Sequence, residues 1–342
     1  MFRLRDPVPM RAGNPVQRAL RVEIESWSLR EPFRITGRTI DAFDVVVVTI
    51  EEQDFVGRGE AAGVHYLGED PASIVARIEA VRGAIEGGID RTALHSLLAC
   101  GGARNAVDCA LWDLEAKRCR SPVWRIAGLQ EPKPLLTTFT CGADDPARMA
   151  DAARAYGGAR SIKLKLTGEA VDAERVCAVR EARPDVWLGV DANQGFSRAA
   201  LERLMMVLER ERVALIEQPF RVGEEHLLDG FCSPIPVAAD ESAQGVADLD
   251  VLAGRFQAVN IKLDKCGGLT EALTMARASE QLGLTPMVGN MGGTSLAMAP
   301  AFLVGQLCGL VDLDGPVFLR TDRAATVEYR DGFIDCGSMI WG

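Results

Sequence analysis

No stretch of this chain reaches the roughly 18 consecutive apolar residues of a membrane span, so neither a membrane location nor a membrane partner is expected. Its nine cysteines form no Cys-x-x-Cys pair and follow no regular spacing, which makes reduced thiols in a cytoplasmic setting the default. Positive charge is in deficit: the formal net charge is -10, which argues against a nucleic acid partner. The opening stretch MFRLRDPVPMRAGNPVQRAL is basic and broken by proline, and it lacks the apolar core of a signal peptide. Residues 1–18 are therefore expected to form a loose arm or extension. Low-complexity segments are also missing. What remains is 342 residues, 48% hydrophobic and 25% charged, enough chain for a large core.

Seven polar residues recur at a near-constant interval, each at or near the end of a short apolar run. They are Lys165, Asp191, Glu217, Asp240, Lys262, Asn290 and Asp314, and subtraction of their numbers gives gaps of 26, 26, 23, 22, 28 and 24 residues. That interval holds one strand, one helix and two loops. The runs SIKLKL, WLGVDAN, ALIEQP, PVAADES, AVNIKLD, TPMVGN and VDLDGP read as strands, with a first strand in LLTTFTCG. Amphipathic stretches lie between them, one opened by Ser197 as an N-cap, and seven long helices are expected. The pattern predicts an α/β barrel over residues 134–316, with the polar residues gathered on its C-terminal face. The leading segment reads as an antiparallel meander followed by helices, an α+β unit over 19–133. The tail, 317–342, carries a hairpin signal at Asp331-Gly332 and is expected to pack back onto the first domain.

Asp191, Glu217 and Asp240 on three consecutive strand ends would repel one another unless a cation sat between them. Oxygen-only ligands select a hard ion, Mg²⁺ first and Mn²⁺ as the alternative. Taken singly, each has a blander reading: Asp191 could start a turn, Glu217 could pair with a barrel lysine, and Asp240 could cap a helix. Lys163 and Lys165, two apart on one strand, point to the same side. Crowding and burial are expected to lower their pKa toward that of a usable base. Lys262 stands four strands on, across the ring, and Lys265 reads as a loop or surface lysine. A cation flanked by opposed bases suits proton abstraction next to a carboxylate, with Lys163 adding positive charge and with return of a proton to the opposite face. The product of such a reaction is an epimer. A Schiff-base barrel and a non-catalytic metal-binding scaffold are the other classes consistent with these residues.

Taken together, KLK at Lys163 to Lys165, VDAN, IEQP, ADES and NIKLDKCGG resemble the enolase superfamily, in its muconate-lactonising-enzyme-like branch. The resemblance implies a (β/α)7β modified TIM barrel with an N-terminal α+β capping domain. It further implies Asp191, Glu217 and Asp240 as metal ligands and Lys165 and Lys262 as the catalytic bases. Racemases, cycloisomerases and syn-eliminating synthases of the branch share these residues. Asp312 and Asp314, in DLD on the last strand, face one side and would hold a cation; the branch's dipeptide epimerases bind the substrate α-ammonium at this place. The bland alternative is Asp312 paired with a neighbouring arginine.

NAVDCALWDLEAK and VNIKLDKCGGLTEAL resemble the bacterial L-Ala-D/L-Glu epimerases. The implied function is an Mg-dependent isomerase that transfers a proton at the α-carbon of a dipeptide's C-terminal residue in murein peptide metabolism. An N-succinyl amino acid racemase or o-succinylbenzoate synthase is the runner-up, and a homo-oligomer is implied as well. Capping loops at 32–41 and 60–70 would set side-chain specificity, with Arg34 or Arg38 pairing with a glutamate carboxylate and His65 and Tyr66 as lid contacts. Asn290 would line the pocket, and Gly292-Gly293 would let substrate approach the backbone.

Overall fold

The structure, a computed structural model, describes residues 17–342 except 36, 37, 338 and 339, and leaves aside the side chains of Ile35 and Arg38. Residues 1–16 of the expected arm therefore lie outside the described residues. Strands Arg18–Ile35, Arg38–Glu52 and Phe55–Ala61 form an antiparallel meander in that order, as the leading pattern predicts. The run Val45 to Val48 in the middle strand shows how strand periodicity divides the molecule. Phe43, Val45 and Val47 join the large core shared with the barrel, whereas Val46, Val48 and Ile50 join a second core under the N-terminal helices.

Helix Gly102–Cys119 lies across this sheet and is buried along nearly all its length. Its close approach depends on Gly57 and Gly59, where an added Cβ would stand 2.2 Å from the Ala110 carbonyl oxygen and 2.1 Å from that of Ala106. Helix Pro71–Ala80 starts at a reciprocal cap, in which Asp70 accepts from the Ser73 N–H and Ser73 Oγ from the Asp70 N–H.

Eight parallel strands follow in sequential order: Phe139–Cys141, Ser161–Lys165, Trp187–Asp191, Val213–Glu217, Val237–Ala239, Ala258–Ile261, Thr285–Val288 and Leu310–Val311. The Thr138 N–H donates to the Val311 carbonyl at 2.9 Å and so joins the first strand to the eighth. This is the (β/α)7β barrel with an N-terminal α+β cap. Long helices fill most connections, including Arg198–Arg210, whose N-cap Ser197 accepts from the Ala200 N–H. Two connections depart from the expectation of seven long helices. After Glu217 there is only the short turn Glu225–Leu228, and after Ala239 only Val246–Asp248 and Leu249–Leu252. Pro219, Gly223, Gly230, Pro234 and Pro236 account for the first of these breaks.

The stretch LLTTFTCG is also not one strand. Phe139–Cys141 belongs to the barrel, but Leu135–Leu136 pairs with Phe333–Asp335. The tail hairpin turns at Asp331 and Gly332, both at positive φ, and thus extends this small sheet at the barrel's N-terminal side. The tail also packs on the cap: the Arg320 N–H donates to the Ser28 carbonyl at 2.9 Å, Arg323 pairs with Glu25 and Glu60, Trp341 Nε1 donates to the Arg58 carbonyl and the Gly342 N–H to Asp113. No helix among the described residues is long and apolar enough to cross a membrane. Gly59→Val should force the strand off helix Gly102–Cys119 and cost about 1–3 kcal/mol, read as a lowered urea midpoint; an unchanged midpoint would mean the contact is not tight.

Candidate active site

Strand register places the chemistry. Lys165 pairs with Asp191 and Asp191 with Glu217 in the parallel ladder, and Asp240 follows Ala239 at the end of the next strand. The three carboxylates thus stand at one level, fully buried, with oxygens that all lie within 4.8 Å of one another. Neighbouring backbone fixes them. The Asn193 N–H donates to Asp191 Oδ1 at 2.8 Å, across a turn in which Asn193 and Gln194 take positive φ. Gln218 Oε1 accepts from the Asp240 and Ser242 N–H groups, which ties the fourth strand's end to the fifth.

Four lysines surround the triad. Lys165 Nζ lies 2.5 Å from Asp191 Oδ2, and Lys262 Nζ lies 2.7 Å from Asp240 Oδ2. Because their strands are the second and sixth of eight, they enter from opposite sides of the ring. Lys163 Nζ sits 3.2 Å from Glu217 Oε2 and 3.7 Å from Asp191 Oδ2, and it also bonds Asp312 Oδ2. Lys265 is the fourth, and here the expectation of a loop or surface lysine is wrong. It is completely buried, with Nζ on both the carbonyl and the carboxylate of Asp240 and 2.9 Å from the Asn260 carbonyl. The short helix Leu263–Cys266 turns it back inward.

For Lys163 the electrostatics also correct the expectation that crowding and burial lower the pKa. Burial does pull Lys163 down, but Asp312, Glu217 and Asp191 outweigh it and hold its pKa well above the usual value. Lys262 is likewise raised, burial being overcome by Asp240 and Glu217. Burial works against ionisation of Asp240 too, yet Lys262 and Lys265 keep its pKa well below the ordinary carboxylate range. Glu217 goes the other way, pushed up to about 8 by burial and by Asp191. Its Oε1 accepts from Asn260 Nδ2 at 2.7 Å.

A cation fits this donor set. The oxygens are hard, three carboxylates converge, and two further buried acceptors nearby, Asn193 Oδ1 and Glu241 Oε2, have no hydrogen-bond partner. A cavity of about 320 Å³ opens above the triad, and its lining includes Lys163, Lys165, Lys262, Asp240 and Asn290. Asp312 and Asp314 line it as well. Asp312 pairs with Lys163 rather than an arginine, and its Oδ1 stays without a partner. Asp314 Oδ2 accepts from the Thr140 N–H, and burial and Asp312 push its pKa up to about 6. Asn290 Nδ2 donates to the Asp312 carbonyl at 2.8 Å and reaches Asp314 Oδ1 at 3.5 Å.

The cap closes the cavity from above. Phe33, Ile40 and Phe43 supply an apolar wall, and Tyr66 lines the cavity while its hydroxyl accepts from Gln244 Nε2 at 3.2 Å. His65 also lines it. Arg34 does not line it: it is exposed and pairs with Asp144 at 3.2 Å. The Arg38 side chain lies outside the described residues. Sequence reasoning missed Gln218, Asn260 and Glu241; a polar residue next to each ligand motif was the available signal.

Two family models match the chain: the mandelate racemase/muconate lactonizing enzyme N-terminal domain over residues 17–128, and the enolase C-terminal domain-like model over 146–335. An L-Ala-D/L-Glu epimerase from Escherichia coli K12 is 37% identical, over 92% of this chain and 98% of its own. An N-acetyl-D-glutamate racemase from a Pseudoalteromonas species is 38% identical, over 87% and 95%. Among solved structures, an Agrobacterium tumefaciens enolase family member with homology to dipeptide epimerases, holding sodium and L-Ala-L-Glu, superposes with a TM-score of 0.92 at 39% identity, covering 95% of this chain and all of that one. Lys265→Met would leave Asp240 without its buried anchor and is expected to weaken binding of added Mg²⁺ about 10–100-fold, measured by calorimetry. Unchanged affinity would show that Asp240 is held by other contacts.

Proposed function

The chain belongs to the enolase superfamily, with both domains of the mandelate racemase/muconate lactonizing enzyme type, and from that premise we propose that it is an Mg²⁺-dependent dipeptide epimerase. The observation that carries the reading is one cavity lined by two lysines on opposite strands, by Asp240 of the acidic triad and by the Asp312–Asp314 pair. Asp191, Glu217 and Asp240 would hold the cation. When bound, a divalent cation would offset the carboxylates that hold the protons on Lys163 and Lys262, and would carry the charge that grows on the substrate carboxylate as its α-proton leaves. Lys165 and Lys262 face that α-carbon from opposite sides. One, as the free amine, takes the proton; the other, as the ammonium, gives one back on the far face, and the configuration inverts. Lys163 supports the developing negative charge from the same strand as Lys165.

Asp312 and Asp314 give the N-terminal ammonium of a dipeptide a carboxylate partner, and the unpartnered Asp312 Oδ1 is an acceptor still to be filled. The most similar relatives named above act on L-Ala-D/L-Glu and on N-acetyl-D-glutamate, which share a glutamate residue and differ in the amine. L-Ala-D/L-Glu is accordingly the substrate proposed, in turnover of murein peptides, and N-acylated glutamate the second reading. A cytoplasmic site of action agrees with nine cysteines that all stand as free thiols. Phe33, Ile40 and Phe43 cover the cavity from the cap and would keep water from the reacting carbon.

In D₂O with Mg²⁺, the protein should place one deuterium on the glutamate α-carbon of L-Ala-L-Glu, seen by mass spectrometry, and should leave N-acetyl-L-glutamate unlabelled. Labelling of the acylated compound alone would move the reaction to N-acyl amino acids. Lys165→Ala and Lys262→Ala should each lose about 10²–10⁴-fold in epimerisation while each still exchanges the α-proton of one epimer. Exchange of both epimers by both variants would remove the two-base assignment.

A further inference from the structure

Glu60 is a carboxylate with no part in the chemistry above, yet it is fully buried where the cap, the barrel and the tail meet. It stands near the end of the third cap strand, Phe55–Ala61. Its Oε1 accepts from the Thr294 N–H at 2.7 Å. Its Oε2 accepts from the Thr294 hydroxyl and from Arg323 Nη2, the latter at 2.7 Å. Arg323 Nε donates to Thr294 Oγ1 at 2.6 Å, and its Nη2 also reaches Glu25 Oε2 on the first cap strand at 2.6 Å. Burial raises the Glu60 pKa, against the opposing pull of Arg323 and Thr294.

Thr294 is the N-cap of helix Ser295–Gly305, and the four residues before it form the turn that leaves the seventh barrel strand. That turn has little freedom. Gly292 and Gly293 both take positive φ; an added Cβ on Gly292 would meet the Phe43 ring at 2.7 Å, and one on Gly293 would meet Glu60 Oε1 at 2.8 Å. Its first residue, Asn290, bonds the Asp312 carbonyl and reaches Asp314 Oδ1. Gly315, which follows Asp314, packs on the same turn, with a Cβ there placed 3.1 Å from Asn290 Oδ1. A continuous set of contacts therefore runs from the cap carboxylate, through Thr294 and two glycines, to the two aspartates.

We propose that Glu60, acting with Arg323 through Thr294, is a positioning residue that sets the Asn290–Gly293 turn and thereby the aspartate pair that receives the substrate ammonium. The inference rests on the dipeptide reading for the identity of that ammonium, and on the contacts alone for the turn. A charged node suits this role better than an apolar one, because its six hydrogen bonds fix direction as well as distance. The hydrogen bonds of the Glu60 side chain go to Thr294 and Arg323 and to none of the triad or the opposed lysines, so its loss should act on substrate affinity and leave the proton transfers in place.

The test uses the full chain loaded with Mg²⁺, with L-Ala-L-Glu as probe, and compares Glu60→Gln, Thr294→Val and Thr294→Ser. Glu60→Gln and Thr294→Val should raise KM roughly tenfold with kcat within about threefold of the parent, whereas Thr294→Ser, which keeps the hydroxyl, should stay near the parent. The Mg²⁺ concentration for half-maximal rate should not move. Amide hydrogen exchange should quicken across 290–297 in Glu60→Gln and stay unchanged in the barrel strands. A KM that does not change, or KM, kcat and Mg²⁺ demand shifting together, would overturn the proposal. So would unaltered exchange across 290–297. If the parent itself labels no dipeptide, it is the epimerase reading that fails, and amide exchange alone then decides the role of Glu60.

Discussion

Three carboxylates with oxygens within 4.8 Å of one another, at zero to one per cent exposure, are the constraint around which this molecule is built. At an effective dielectric near 20, each like-charged pair at that separation is repelled by roughly 3 kcal/mol, before any cost of removing the charges from water. Four lysines answer that repulsion, and they are buried for the same reason. Neither set is tolerable in the barrel without the other. The shift of Glu217 to about 8 marks where compensation is thinnest, since Lys163 stands 3.2 Å away and is shared with Asp312 and Asp191. A cation held among the three oxygens would complete the balance, and its arrival would loosen the grip on the lysine protons.

The scaffold meets this demand with backbone more than with side-chain packing. A parallel ladder in register sets Lys165, Asp191 and Glu217 side by side, something no helix face could do for residues 26 apart. Gln218 then spends its amide on the next strand, accepting from Asp240 and Ser242 and donating to Phe220 and Ser242. Asn193, Gln194 and Gln218 all take positive φ, a conformation that costs about 1–3 kcal/mol per non-glycine residue and persists only where surroundings enforce it. That three such residues directly follow two of the carboxylates is where local strain and function coincide.

The barrel was legible because its polar residues carry the period of the fold: one strand end every 22 to 28 residues is a signal that survives short and weakly patterned strands. The cap was legible from the alternation of its strands, which in Val45 to Val48 feeds two separate cores. What stayed hidden depended on direction rather than on residue type. Lys265 lies three residues past Lys262 and looked external, but a single helical turn after the strand brings it back under Asp240. The pKa of Lys163 moves up where lowering was expected, because its neighbouring ammonium is visible in KLK, whereas the carboxylates that outweigh burial, Asp312, Glu217 and Asp191, come from other strands. The Arg34 pair with Asp144, just after the first barrel strand, joins residues 110 apart and has no local signal. Glu60 could not be singled out at all, since its partners Thr294 and Arg323 are more than 230 residues away.

These misses share a physical origin that also bears on how the site works. A strand-end pattern specifies which groups arrive at the cavity, and the groups that orient them come from the turns just beyond. In this chain those turns are held from outside the barrel as well as from within. The Asn290–Gly293 turn rests on Phe43 and Glu60 of the cap, and the loop after Ala61 is pinned by Asp264, whose Oδ1 accepts the Ala62 and Gly63 N–H groups two residues beyond Lys262. The side of the cavity with Asp312 and Asp314 is therefore indexed to the cap through Glu60, and the side with Lys262, two strands away, is indexed to it through Asp264. A displacement of the cap would act on both of these sides at once, while the triad is held by groups of the barrel: the Asn193 N–H on Asp191, Asn260 on Glu217, and Lys262 and Lys265 on Asp240. The cap thus bears on the aspartate pair and on Lys262 together, and the acidic triad is the part of the site that the barrel fixes by itself.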